Sequence, residues 1–291
     1  MNIQLLSMQL FSGLALGAIL IMLSLGLSII FGILGVVNFA HGSFFMVGAY
    51  AGVFFLAYTG SFWWALLLAP LAIGVLGIGV ERFLIRPLYG RSVDDPILLT
   101  FGLSYILVEC VRIAFGSDGI PFATPAALRG VTNIGIGYFP TYRLFVIGVV
   151  AVILALLWLG LEKTKLGLIV RAGARDPQIM QVLGVDIRKL WLAVFGIGIA
   201  LAAMGGVLAA PMRSVNPEMG TFVLSEAFVV TVIGGMGSLL GSVVAALLVG
   251  IIVNMTSLFA PEMATIAMFA FMALVLLVRP HGLFGRPGFG A

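Results

Sequence analysis

The chain is dominated by long apolar runs, and these limit what it can fold into. They lie at roughly 8–31, 42–58, 62–81, 96–115, 140–161, 190–212, 226–258 and 261–279. About 20 apolar residues make a helix long enough to cross the hydrocarbon layer. Hydrophobic residues form 62% of the sequence and charged residues only 9%, against about 25% charged in soluble domains. Mean hydropathy is +1.23. A water-facing surface cannot be covered with so few charges, so the expected fold is all-α: one polytopic transmembrane domain over residues 1–291. The 38 glycines suit it, because small residues let membrane helices approach closely.

Two runs are too long for a single span. The stretch 8–41 loses its pattern at Gly32, Gly35 and Asn38, which suggests a split near Gly26 or Gly32. The stretch 226–258 is broken by GGMGSLLG at 234–241. Eight clear spans and up to ten helical segments are therefore expected. Lys and Arg cluster in 82–95 and 162–189, which places both loops in the cytoplasm and 116–139 outside. Arg279 and Arg286 place the C-terminus inside, and the suggested first split would place the N-terminus inside too. A five-plus-five division makes inverted repeats possible, a common transporter plan.

The net charge of +4 and pI near 9.5 reflect cationic loops, not a nucleic-acid partner. The single Cys110 excludes an intrachain disulfide. The N-terminus has no Lys or Arg before its first apolar run, unlike a secretory signal, so the first span is expected to be retained. No G-x-S-x-G, H-E-x-x-H or paired intramembrane Asp supports an enzyme. No metal site or cofactor site is read in the chain.

A few polar groups interrupt the apolar runs. Asn38 and His41, followed by Gly42, mark a break in the first. They read either as a locally satisfied helix end or as a hinge or short re-entrant element beside a translocation path, since irregular backbone at depth needs protein or a water-filled cavity around it. His41 near a cytoplasmic end reads equally as a surface residue. Glu109 and Arg112 share a helix face, so an i,i+3 pair is expected, with a substrate contact as the alternative. Glu226 reads as a first-turn helix residue near the positive end of the dipole, or as a cavity residue. Gly235 and Gly237 are hinge candidates. The G-x-x-x-G pairs Gly13/Gly17, Gly48/Gly52 and Gly237/Gly241 read as packing signals. Trp63 and Trp64 suit the outer interfacial belt, Trp158 and Trp191 the inner one.

The segment 162–189 is too polar for lipid and too patterned for a linker. Asp176–Pro177 reads as a helix N-cap and first position. Ile179, Met180, Val182 and Leu183 give the short helix apolar groups, and Gly184 ends it. The helix either tucks against the bundle or docks a cytoplasmic partner; basic flanks around an apolar tip favour docking.

RAGARDPQIMQVLGVDIRKL resembles the cytoplasmic coupling loop of ATP-binding-cassette importer permeases. GLSIIFGILGVVNFAHGSFFMVGAYA resembles the N-terminal signature of branched-chain amino acid permeases of the N-F-A-H-G subtype. GGMGSLLGSVVAALLVG and LVRPHGLFG are similar to later parts of that family. The resemblance implies a permease subunit in the bacterial inner membrane, paired with a second permease, a periplasmic solute-binding protein and two cytoplasmic ATPase subunits. It implies ATPase coupling through Arg171, Arg175, Asp176, Met180, Leu183 and Gly184, and branched-chain or other hydrophobic amino acids as substrate. No phosphate loop is present and Gly-Lys never occurs, so ATP would be hydrolysed by the partners. The alternative is an ion-coupled carrier or channel for a small polar solute such as urea or an amide, with Glu109 as its ion-binding acid.

Overall fold

A computed structural model describes residues 3–92, 94–135 and 137–285; Arg286 falls outside them. The chain is an all-α membrane bundle. Its helices are α1 (Ile3–Leu34), α2 (His41–Thr59), α3 (Phe62–Val80), α4 (Asp94–Phe115), α5 (Thr141–Lys163), α6 (Lys165–Arg175), α7 (Pro177–Val182), α8 (Ile187–Ala209), α9 (Met219–Gly234), α10 (Leu239–Phe259) and α11 (Ala264–Val278). Eight are long and apolar enough to cross a membrane, α11 together with the adjoining 3-10 turn Pro261–Met263, and α9 is a shorter apolar helix beside them. A two-stranded antiparallel hairpin, β1 (Val131–Asn133) with β2 (Tyr138–Pro140), pairs Thr132 with Phe139 in the loop between α4 and α5.

The first long run does not split at Gly26 or Gly32. It forms one 32-residue helix, about 48 Å long and well beyond the ~30 Å hydrocarbon thickness. This length is tolerated because α1 is the central element, with 89% of its apolar window buried by protein. Both glycines sit inside the helix as contact points: Gly26 abuts Gly198 of α8, and Gly32 abuts Gly237. The helix ends instead at Gly35, whose φ of 66° suits a residue without Cβ.

An unbroken α1 also corrects the expected side of the N-terminus. Phe11 packs on Phe139, and Arg143 donates to Ser12. The outer end of α1 therefore lies on the face of the 116–140 loop. Arg112, Arg129, Arg143 and Arg213 lie towards that face; the other described cations lie on the opposite, basic face, which the positive-inside rule assigns to the cytoplasm. The split at 235–238 occurs as expected. From the outer connector 210–218, the helices α9, α10 and α11 make three passes and bring the tail to the basic face.

Two inverted copies of one motif form the centre. The helix α1 runs inward, breaks over 35–40, and α2 starts part-way back along it and returns outward. The helix α8 runs outward, breaks over 210–218, and α9 starts at depth and returns inward. The copies touch reciprocally: each of Gly26 and Gly198 faces the other's carbonyl, and so do Gly42 and Gly220. The helix α10 lies along α1 as α3 lies along α8. The helix α4 touches α2 as α11 touches α9, so the inverted relation spans four helices in each half, α1–α4 and α8–α11, with α5–α7 between them.

Small-residue faces allow these approaches. A methyl on Gly13 would lie 2.8 Å from Ile251 Cα, and one on Gly17 3.0 Å from Leu247 Cα. Between the same helices, α1 and α10, the Ser28 and Ser242 hydroxyls bond at 2.5 Å. The hydrophobic effect gives little between helices in lipid, so close packing and such bonds carry the association.

Candidate functional site

The 35–40 break is built at depth inside the bundle. Asn38 and His41 are both fully buried, so the surface reading of His41 is wrong. Asn38 Oδ1 accepts from Ala40 N at 3.0 Å, and the Asn38 carbonyl accepts from His41 N at 3.2 Å. The local-satisfaction reading of Asn38 therefore holds for its carbonyl oxygens. Phe39 N donates to Thr100 Oγ1 of α4 at 3.1 Å. His41 Nε2 lies 3.0 Å from the Leu23 carbonyl, which can only accept, so Nε2 carries the proton. Leu23 is about 16 Å back from the end of α1. The chain therefore re-enters the bundle before α2 begins, and Gly42 then passes directly over the Gly220 carbonyl of α9.

The second break has a different role. Gly235 and Gly237 adopt positive φ, 97° and 81°, and Ser238 caps α10 by accepting from Gly241 N at 3.1 Å. The C-terminal tail closes over this turn. Leu283 N donates to the Ile233 carbonyl at 2.8 Å, and Phe284 N to that of Gly234 at 3.1 Å. The LVRPHGLFG stretch thus caps the last carbonyls of α9.

Glu109 and Arg112 form the expected i,i+3 pair, on an exposed part of α4. Arg112 also binds Glu218, the residue before α9, at 2.8 Å. Glu226 does not lie in a first helical turn: α9 opens at Met219, so Glu226 is mid-helix, 4.0 Å from Arg213. A cavity of about 390 Å³ opens at the outer face between Gly119–Phe122 and Ala210–Ser214; Arg213, the partner of Glu226, lines it, and none of the candidate residues does. The candidates therefore occupy three levels: Glu109 towards the outer side, Asn38, His41, Gly42 and Glu226 in the core, and Gly235 and Gly237 at the basic face.

On the basic face, α7 follows the expected plan. Asp176 Oδ1 accepts from Gln178 N at 3.1 Å and Ile179 N at 3.0 Å. Gly184 ends the helix at φ 83°, and Val185 N closes back on the Met180 carbonyl at 3.0 Å. Ile179, Val182 and Leu183 project with exposures of 58%, 88% and 70%. Met180 is half-buried and Arg175 exposed. Arg171 turns back instead, onto the Leu161 carbonyl and the Glu162 carboxylate, where it caps the end of α5. The second helix of the loop, α6, has no clear start signal in sequence except Thr164, whose hydroxyl accepts from Gly167 N at 3.0 Å. It packs on α1 and α5, and Gly173 fits against Leu190 and Ile187 of α8. Asp186 caps α8, accepting from Arg188 N and Lys189 N at 3.1 and 3.2 Å; these bonds, with Lys189's first, hold its carboxyl below the usual range.

A further cluster escaped the sequence reading. Glu81 is fully buried where α3 passes into a π-turn, Glu81–Ile85. Arg86 grips it with two bonds, Nε to Oε1 at 3.3 Å and Nη2 to Oε2 at 2.8 Å, and Tyr89 donates to Oε1 at 3.2 Å. Burial, with the Glu81 charge, pushes the Tyr89 phenol up, so it stays a donor. The available signal was an acid closing an apolar run five residues before an Arg.

Comparison with known proteins finds relatives along nearly the whole chain. The family model described as branched-chain amino acid transport system / permease component matches residues 9–278. The high-affinity branched-chain amino acid transport system permease protein BraD of Pseudomonas aeruginosa is 31% identical over 297 residues, covering 96% of this chain and 95% of the relative. LivH of Escherichia coli, with the same description, is 30% identical over 300 residues, with the same coverages. LivM of Escherichia coli is 29% identical over 291 residues, covering 91% of this chain and 67% of the relative. No solved structure matches the chain. With the bundle, the N-F-A-H-G break and the family match over nearly its whole length, this multi-pass membrane protein belongs to the branched-chain amino acid permease family.

Proposed function

We propose that the chain is the permease subunit of an ATP-binding-cassette importer in the bacterial inner membrane, carrying branched-chain or other hydrophobic amino acids. It pairs with a second permease, receives substrate from a periplasmic binding protein, and is driven by two ATPase subunits that dock on the 162–189 loop. The observation that carries this reading is α7: a firmly capped helix on the basic face with an apolar tip, Ile179, Val182 and Leu183, left uncovered. An amphipathic helix presented this way suits a groove in a partner. Matches to both LivH and LivM, each a permease protein of a branched-chain amino acid transport system, support pairing with a second permease.

Force on α7 has a route inward. It passes to α6, seated on α1 and α5, and to the start of α8; α1 and α8 lead directly into the two breaks. ATP binding drives the change only through its different affinity for the two arrangements. On the outer side, Glu109, Arg112 and Glu218 present charge on an exposed face of α4 and the α9 start. A paired charge cluster on an exposed apolar helix faces protein or water, not lipid, so this face lies beside the second permease at the outer end of the path. Glu109 is already held by Arg112 and makes a poor site for a free coupling cation.

The test is Asp176→Lys or Leu183→Glu in the complete assembly in proteoliposomes. Both variants insert normally, and both lose substrate-stimulated ATP hydrolysis and uptake. Intact coupling in both, uptake by the chain unaided, or residues 176–184 found on the periplasmic side would each overturn the reading.

A further inference from the structure

The buried Glu81 cluster reaches across an element boundary. All three donors to its carboxylate come from residues just downstream, so the end of α3 is folded onto itself as one unit. That unit touches the first turns of α8 twice: Arg86 Nη2 donates to the Arg188 carbonyl at 3.4 Å, and the Tyr89 ring packs edge-on against Trp191 at 4.7 Å. Arg188 and Trp191 lie immediately after α7 and its closing turn. Further along, α3 and α8 are locked by glycine contacts: a methyl on Gly77 would lie 2.8 Å from Ile199 Cβ, and one on Gly196 2.6 Å from Ile78 Cγ1. The start of α8 therefore cannot shift without moving the end of α3. A single π-helical turn at the end of an α-helix is rare, and such turns gather at functional positions. Beyond the unit, Gly90 with φ 82° leads into α4, which has only 11% of its apolar window buried.

We propose that Glu81, Arg86, Tyr89 and Trp191 form a clamp that transmits displacement of the 162–189 loop into the connector before α4, with Arg86 as the positioning residue. The transmission rests on the reading of that loop as the ATPase-docking element; the clamp itself does not. Arg86→Gln would strand a buried carboxylate, which destabilises the fold itself. Arg86→Lys is the informative change: it keeps a positive charge for Glu81 but lacks the fork that serves Glu81 and Arg188 together. Trp191→Leu removes the ring contact and leaves the charges alone.

Two measurements separate the parts. In the purified chain, hydrogen exchange of the 187–191 amides accelerates about tenfold in Arg86→Lys, as loss of one charge-assisted bond predicts. In the complete assembly with its binding protein and leucine as probe, ATP hydrolysis persists in both variants while leucine moved per ATP falls severalfold. Unchanged exchange overturns the clamp. Faster exchange with unchanged uptake per ATP, or hydrolysis and uptake falling in parallel, overturns transmission. A wild-type assembly without ATP-driven uptake refutes the docking reading and transmission with it, and leaves the exchange result to decide the clamp alone.

Discussion

Replacing Gly42 by alanine tests the central crossing most directly. The added methyl would lie 2.7 Å from Leu224 Cβ and closer still to the Gly220 carbonyl, where ordinary contact begins at 3.4 Å. One obstacle is backbone, so no rotamer change relieves it. The starts of α2 and α9 must separate by roughly 1 Å, and a gap of that size forfeits a quarter to a half of each dispersion contact it opens. Overpacking of this kind costs about 1–3 kcal/mol. At about 2–4 °C per kcal/mol for a chain of this size, the melting temperature falls by about 2–12 °C. Gly102→Ala is the matched control. Gly102 lies in α4 with nothing within 4 Å of an added methyl, so alanine there gains roughly 0.5–1 kcal/mol from helix preference. Thermal unfolding in one detergent, followed by intrinsic fluorescence, compares the two. Equal melting of Gly42→Ala and the parent, or equal losses in both variants, would refute the glycine crossing.

Other consequences are smaller. Ser28→Ala removes the hydroxyl pair between α1 and α10 and should cost about 0.6–2 kcal/mol, read as a lower melting temperature; no change means the Ser28–Ser242 bond is not made. The Asp186 cap has a defined pH window. Its folded pKa is depressed below the ordinary 3.8, so its stabilisation is fully present above that value and fades as pH falls through the lower folded pKa. Exchange of the Arg188 and Lys189 amides in Asp186→Ala should already be fast at pH 6, where the parent is protected; equal protection would exclude the cap. Arg112→Gln breaks two exposed ion pairs, each worth about 0–1 kcal/mol, so melting should barely move; a large drop would mean this cluster supports the fold.

Local signals carried a good part of this protein. The apolar runs, the cationic loops and the Asp176–Pro177…Gly184 frame depend on residues near each other in sequence, so the spans, the basic face and α7 were readable. The same holds for the 234–241 break, where two glycines take up positive φ. Tertiary contacts decided the rest. The run containing Gly26 and Gly32 looks divisible because its length overruns a bilayer and its pattern fades at glycines, but the partner of α1 is protein, and these glycines are contacts with α8 and the 235–238 turn. Glu226 looked like a helix start because apolar pattern cannot show that α9 opens seven residues earlier, against Gly42. The meeting of Arg86 with Arg188 and of Tyr89 with Trp191, of Arg112 with Glu218, and of the tail with α9 joins residues about 50 to 110 positions apart. Sequence by itself determined which segments must leave water and which must stay in it, because transfer energy is a property of each segment alone. Only the folded bundle decided which glycine bends the chain, which admits a neighbour, and which charge finds a partner, because those outcomes belong to pairs of surfaces.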